Sequence, residues 1–231
     1  MRFISIYGMS EVSGRIGANV VSHNKYGYYM RDMKIPVNPN STRQNLIRSR
    51  LSLLAGKWQI DLSSSQRGGW DSYAANVTVP ARVGSRQYVT GFNLFIRTNQ
   101  ARLESGEAVL EDAPMLNLLG ENDPTLAISI SEATQNASVT FDNTLGWATE
   151  ADGHMLLYFG QGQNESRTFY GGPWQYGGKI DGATPTPPTS PATIAVPFPV
   201  QAGQKVWCRA RILRADGRLS DYFLASVVVV A

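Results

Sequence analysis

The sequence has one cysteine, Cys208, and only two histidines, His23 and His154. A single thiol cannot close a disulfide within the chain or supply the paired thiolates of a zinc site, so folding rests on packing. Cys208 falls in the alternating series Val206, Cys208, Ala210, Ile212, which predicts a buried, structural side chain. Neither histidine is flanked by a cysteine or second histidine or belongs to a ligand cluster or catalytic pair at short spacing, so both read as surface or turn residues. A nucleophile elbow of the form G-x-S-x-G is absent, and the glycines around Pro173 and Trp174 lack the G-K-S/T of a phosphate-binding loop. The expectation is a non-enzymatic chain with no catalytic, cofactor-binding or metal-binding residue.

Long apolar runs are also missing. No stretch reaches the roughly 18 residues that a membrane-spanning helix requires, and the opening MRFISIYGMSEVSGRIG has no continuous apolar core of a signal peptide. Synthesis in the cytoplasm, without export or a membrane partner, is expected. Charged residues make up only 17% of the chain, yet they are unevenly placed. Residues 1–113 carry 14 Lys/Arg against 8 Asp/Glu, and residues 114–231 carry 7 against 10. A basic first half and an acidic second half suggest two modules, and such a bipolar chain can orient copies in an assembly.

What the sequence does contain changes character along its length. RFISIYG and RIGANVVSHNKYGYYMRDMK are β-rich, the second with a turn signal at Asn24, Lys25 and Gly27, so a hairpin is predicted. IPVNPNS follows, where Pro36 and Pro39 predict a stiff connector lying on another surface. Residues 1–40 thus read as a hairpin arm. Capping boxes at Ser41–Gln44 and Ser63–Gln66 open two helices, and a third is predicted from Thr90 to a left-handed cap at Gly106. Their apolar stripes are Ile47, Leu51, Leu54, Trp58; then Trp70, Tyr73, Ala74, Val77; then Phe92, Phe95, Ile96, Leu103. Residues 41–113 read as a helical module. Arg43, Arg48, Arg50 and Lys57 form a positive face on its first helix, whereas Glu104, Glu107, Glu111 and Asp112 read as a solvated helix end.

From residue 114 onward short β-runs alternate with turns: PMLNLL, TLAISIS, ASVTFD, GHMLLYFG, TIAVPFPV, QKVWCRARILR and DYFLASVVVV. In KVWCRARIL the set Val206, Cys208, Ala210, Ile212 should face a core, and Trp207, Arg209, Arg211, Leu213 should face solvent or a partner. Asp216-Gly217 supplies the following turn. Residues 161–192 read as a Gly/Pro/Thr-rich insertion, within which Tyr170, Trp174 and Tyr176 form an aromatic loop among glycines.

The run VQAGQKVWCRARILRADGRLS resembles the penultimate strand and following turn of a fibronectin type III module. Val206 stands where that family carries the tyrosine of its tyrosine corner. The resemblance implies an antiparallel, immunoglobulin-like sandwich over residues 114–231, giving an α+β chain overall. Such modules serve as spacers and binding platforms, in phage tails and capsids among other settings. RDMKIPVNPNSTRQNLIR is loosely similar to uncharacterised proteins of bacteria and their phages. The leading expectation is a bacteriophage virion protein, capsid- or tail-associated, whose partners are other virion proteins or copies of itself. A second reading is a glycan- or receptor-binding module using Tyr170, Trp174 and Tyr176. The weakest is a nucleic-acid accessory protein using Arg43, Arg48, Arg50 and Lys57.

Overall fold

A computed structural model describes residues 13–25, 27–81 and 84–231. RFISIYG and the first half's opening therefore lie outside the described residues. The chain divides into two units, residues 1–45 and 46–231.

In the first unit, β1 (Gly14–Ile16), β2 (Asn19–Asn24) and β3 (Gly27–Asp32) form an antiparallel meander. The β2–β3 turn sits at the expected Lys25, and a further turn at Gly17-Ala18 adds a strand to the expected hairpin. Only Val21 among the described strand residues is buried. The Pro connector carries no regular structure, and Ile35 and Val37 are 79% and 90% exposed.

The second unit is α+β. Three helix starts follow from side chains that cap free amides. Ser41 and Gln44 bond reciprocally at the start of α1 (Thr42–Gly56), although the helix runs on from the first unit. Ser63 and Gln66 do the same for α2 (Ser64–Asn76), and Thr90 accepts from the Asn93 amide at the start of α3 (Gly91–Ser105). The last turn of α3 ends on Gly106 at φ 87°, a conformation that costs a side-chain-bearing residue more. Between α1 and α2 the helix widens into a single π-turn, Lys57–Asp61.

The helices bury Leu54, Trp70, Tyr73, Ala74, Val77, Leu94 and Phe95 in one cluster. Trp70 meets Phe95 edge to face at 5.5 Å, a geometry favoured by the ring quadrupoles. A short hairpin, β4 (Val79–Pro80) and β5 (Arg86–Gln87), joins α2 to α3. The stripe expected on α1 is buried only at its end: Leu54 is buried and Trp58 partly so, but Ile47 and Leu51 are exposed.

PMLNLL is not a strand. Trp70 Nε1 donates to the Glu111 carbonyl (2.8 Å) and the Tyr73 hydroxyl to the Leu118 carbonyl (2.9 Å). These bonds hold the segment against α2 as an irregular connector. The remaining strands are β6 (Ala127–Ser131), β7 (Asn136–Thr140), β8 (His154–Gly160), β9 (Gln163–Asn164), β10 (Trp174–Asp181), β11 (Ala192–Ala195), β12 (Gln204–Leu213) and β13 (Phe223–Val228). They form two antiparallel sheets, β11-β7-β6 and β10-β8-β12-β13, with β9 on the end of β12. Ile128, Ile130, Val139, Met155, Leu157, Phe159, Val206, Cys208, Ala210 and Ile212, drawn from both sheets, belong to one buried cluster. Each such fully buried aliphatic or aromatic side chain contributes about 1.5–3 kcal/mol of transfer free energy. Cys208 is buried as expected, and burial pushes its thiol up to about 12.

Two further expectations change. The supposed insertion contains β10, an eight-residue strand with a bulge at Gly177, where an added Cβ would run into the Phe159 ring. The second face of β12, expected to meet solvent or a partner, is largely covered within the chain: Leu213 is wholly buried and Trp207 and Arg211 are only 7% and 8% exposed, while Arg209 stays partly exposed. Ala101 of α3 clusters there with Leu156, Tyr158, Leu213 and Leu219, so the helical segment covers part of the sheet. Among the described residues no helix is long and apolar enough to cross a membrane.

Candidate functional site

The side chains with most chemical character gather on the outer face of the four-stranded sheet. Directly opposed residues of antiparallel strands point to one face. The register therefore lays Tyr176 of β10, Tyr158 of β8, Arg209 of β12 and Leu224 of β13 in one row across all four strands. Arg211 and Trp207 flank Arg209 along β12.

Arg209 is held by rings. Its guanidinium carbon lies 4.2 Å from the centre of Tyr222, 4.8 Å from Trp174 and 5.1 Å from Tyr158. Arg211 stands 5.1 Å from Tyr222 and 5.5 Å from Tyr158. The Nε atoms of both arginines are buried without a hydrogen-bond partner. Burial lowers the Arg209 pKa, with Tyr222 and Tyr158 acting against it. Arg211 Nη2 donates to the Tyr158 hydroxyl (3.0 Å), which donates in turn to Glu104 of α3 (2.6 Å). Burial raises the Tyr158 pKa well above the ordinary phenol value, with Arg211 opposing and Glu104 reinforcing the rise. The hydroxyl therefore stays protonated and can serve as this relay donor.

The aromatic residues singled out in the sequence take distinct places. Trp174 and Tyr176 belong to β10 and are half-buried on this face. Tyr170 is buried; it stacks on Trp207 at 5.5 Å and meets Trp174 edge-on at 5.0 Å. Its hydroxyl accepts from the Gln161 amide and donates to the Pro173 carbonyl. Trp174 and Tyr170 thus fold back onto the sheet, while Phe169 is 72% exposed. The sequence did not point to Tyr158, Tyr222 or Arg209; Arg209 was legible only as an outward position on β12.

The basic face is less uniform than its spacing suggests. Arg43 belongs to the first unit, and Arg48 is exposed on α1. Arg50 is half-buried, with Nη1 lacking a hydrogen-bond partner. Lys57 pairs with Glu111 (3.3 Å) and Asp61 (3.5 Å), and the Glu111 hydrogen bond leads the effects that raise its pKa. Its charge is therefore matched within the chain.

His154 overturns its expected surface role. It is 2% exposed, with Nδ1 2.7 Å from Asp181 and Nε2 3.1 Å from Glu107. Burial raises the Asp181 pKa, but the Lys179 hydrogen bond and charge, with His154, outweigh it and leave the carboxyl lowered. Glu104 and Glu107, read as a solvated helix end, instead tie α3 and the turn after it to Tyr158 and His154 of β8. The partners of His154 are 47 and 27 residues away, beyond the reach of any local spacing rule. Among the described residues, no group of three His, Cys, Asp or Glu side chains is placed to hold a metal ion.

No protein-family model matches the chain, and no curated protein matches it at a significant level.

Proposed function

We propose that the chain is a bacteriophage virion structural protein, of capsid or tail, which assembles through its N-terminal half. The observation that carries this reading is apolar surface that the described residues leave uncovered. Between residues 35 and 53, Ile35, Val37, Leu46, Ile47, Leu51 and Leu53 are exposed by 37% to 90%. Exposed apolar residues this dense on a connector and an adjoining helix fit a segment that becomes buried on assembly. The difference in charge between residues 1–113 and 114–231 supports ordered packing of copies.

The same proposal takes residues 114–231 as a fibronectin type III-like sandwich. Strand order supports it: three strands in one sheet, four in the other, and β12 as the penultimate strand, where the resemblance puts it. The virion reading is tested by electron microscopy and protein analysis of purified particles. The chain should be a stoichiometric particle component and should self-associate or co-assemble through residues 33–53. A purified chain that stays monomeric and is absent from every particle would falsify the reading.

A second reading is recognition of a receptor or glycan through the face that bears Trp174. The half-exposed Trp174 and Tyr176 beside Arg209 favour it. Trp174→Ala separates the two, since assembly should survive the change and recognition should not.

A further inference from the structure

We propose that the uncovered part of the four-stranded sheet's outer face docks an acidic polypeptide segment. Arg209 receives a carboxylate, and Tyr222, Leu224 and Trp174 receive the apolar side chains beside it. The inference deepens the recognition reading, and rests on it in taking this face as the binding one.

Arg209 is fixed but not neutralised. Three ring faces hold its guanidinium, its Nε has no acceptor, and the one carboxylate that acts on it, Glu104, does so as the last of the influences on its pKa while accepting its hydrogen bond from Tyr158. Significant cation–π contacts occur roughly once per 70–80 residues, whereas five converge here on two neighbouring arginines. A planar fork so constrained loses little freedom when it meets a carboxylate.

The local charge is also incomplete. Arg97, Lys205, Arg209 and Arg211 stand on or beside this face. Of the nearby carboxylates, Glu104 accepts from Tyr158, and Asp221 is shared between Arg86 (2.7 Å) and Arg97 (3.3 Å). Positive charge is therefore in excess at this place, although the second half of the chain is acidic as a whole. The complement is a negatively charged partner.

Composition and shape select a polypeptide. Leu224 is 63% and Tyr222 43% exposed, beside a half-buried Trp174. Trp, Tyr and Arg dominate the energetics of protein interfaces. The clefts by α2 and by β9 are lined by other residues and do not belong to this face.

The test uses the full-length protein and a fluorescein-labelled octapeptide of alternating Glu and Leu, followed by anisotropy. A matching Lys/Leu peptide and a uronic acid oligosaccharide serve as comparisons. The Glu/Leu peptide should bind, and Arg209→Met should weaken it roughly tenfold or more while Arg15→Met leaves it unchanged. Tyr222→Ala, at an exposed position, should weaken it by at least about fivefold, so the proposal can still be tested if Arg209→Met fails to fold. Equal binding by the Lys/Leu peptide, or indifference to Arg209→Met and Tyr222→Ala, overturns the proposal. Binding of the oligosaccharide alone, lost with Trp174→Ala, overturns the acidic-segment assignment and leaves the recognition reading standing. Absence of any Trp174-dependent binding sinks both.

Discussion

Helices α1 and α3 make the same kind of promise in sequence and meet different fates. Both carry an apolar stripe after a capping residue, yet on α3 Phe95 is buried and Phe92, Ile96 and Leu103 are half-buried, with Leu94 and Ala101 buried beside them, while α1 buries Leu54 but leaves Ile47 and Leu51, and Leu46 and Leu53 beside them, exposed. Amphipathic spacing states that a face needs a cover; it does not say where the cover comes from. For α3 the cover is on both sides, the α2 cluster and the outer face of the sheet. For the first turns of α1, the described residues supply none comparable.

The contrast can be broken at several points, beginning with the largest effect. Phe95→Ala removes a fully buried ring from the helix cluster and should destabilise the second unit by about 3–5 kcal/mol, read as a lower denaturant midpoint. Tyr158→Phe removes the hydroxyl that joins Arg211 to Glu104, leaving the buried Arg211 Nη2 short of that acceptor. That change should cost about 1–3 kcal/mol and loosen hydrogen-exchange protection in α3 before that in β7.

Acid should act next, through carboxyls whose folded pKa is depressed. Burial raises the Glu150 pKa, but its hydrogen bonds from Arg214 and the Ala215 amide outweigh that and lower it. Asp181 is lowered likewise. Their contribution is complete above the unfolded carboxyl range and is lost as pH falls through the lower folded values. The urea midpoint should therefore hold from neutrality to about pH 5 and decline below about pH 4. Glu150→Gln should lower the neutral midpoint and flatten the acid decline; an unchanged slope would contradict the assignment.

The smallest effect sharpens the comparison most. Leu51→Ser, at an exposed position on α1, should change the stability of the isolated chain by no more than about 0.5 kcal/mol. If α1 is an assembly element, the same variant should reduce self-association or incorporation into particles. A large loss of monomer stability would instead mean that Leu51 is covered within one chain.

Local structure was legible wherever neighbouring residues decide it. The capping pairs Ser41–Gln44 and Ser63–Gln66, the Thr90 cap and the Gly106 stop each depend on groups three or four residues apart or on one backbone angle. β10 was missed because its glycines resemble those of a loop, while the Phe159 ring that needs Gly177 at the bulge belongs to another strand, β8. PMLNLL was misread for the converse reason. Its apolar run suits a strand, but Tyr73 bonds its backbone from α2 and leaves Met115, Leu116 and Leu118 exposed. The candidate site was half legible: Trp174 and Tyr176 stood out by composition, whereas Tyr158, Arg209 and Tyr222 join them only through strand register.

By itself, then, the sequence determined the helix starts, the inward alternation of β12 and the buried place of Cys208, since each is set by periodicity or a short-range bond. Tertiary structure alone decided that α3 covers one part of the sheet and leaves Arg209 among its rings, and that His154 sits between Glu107 and Asp181. Those pairings join groups tens of residues apart, and their distance depends on the path of the whole chain rather than on any local preference.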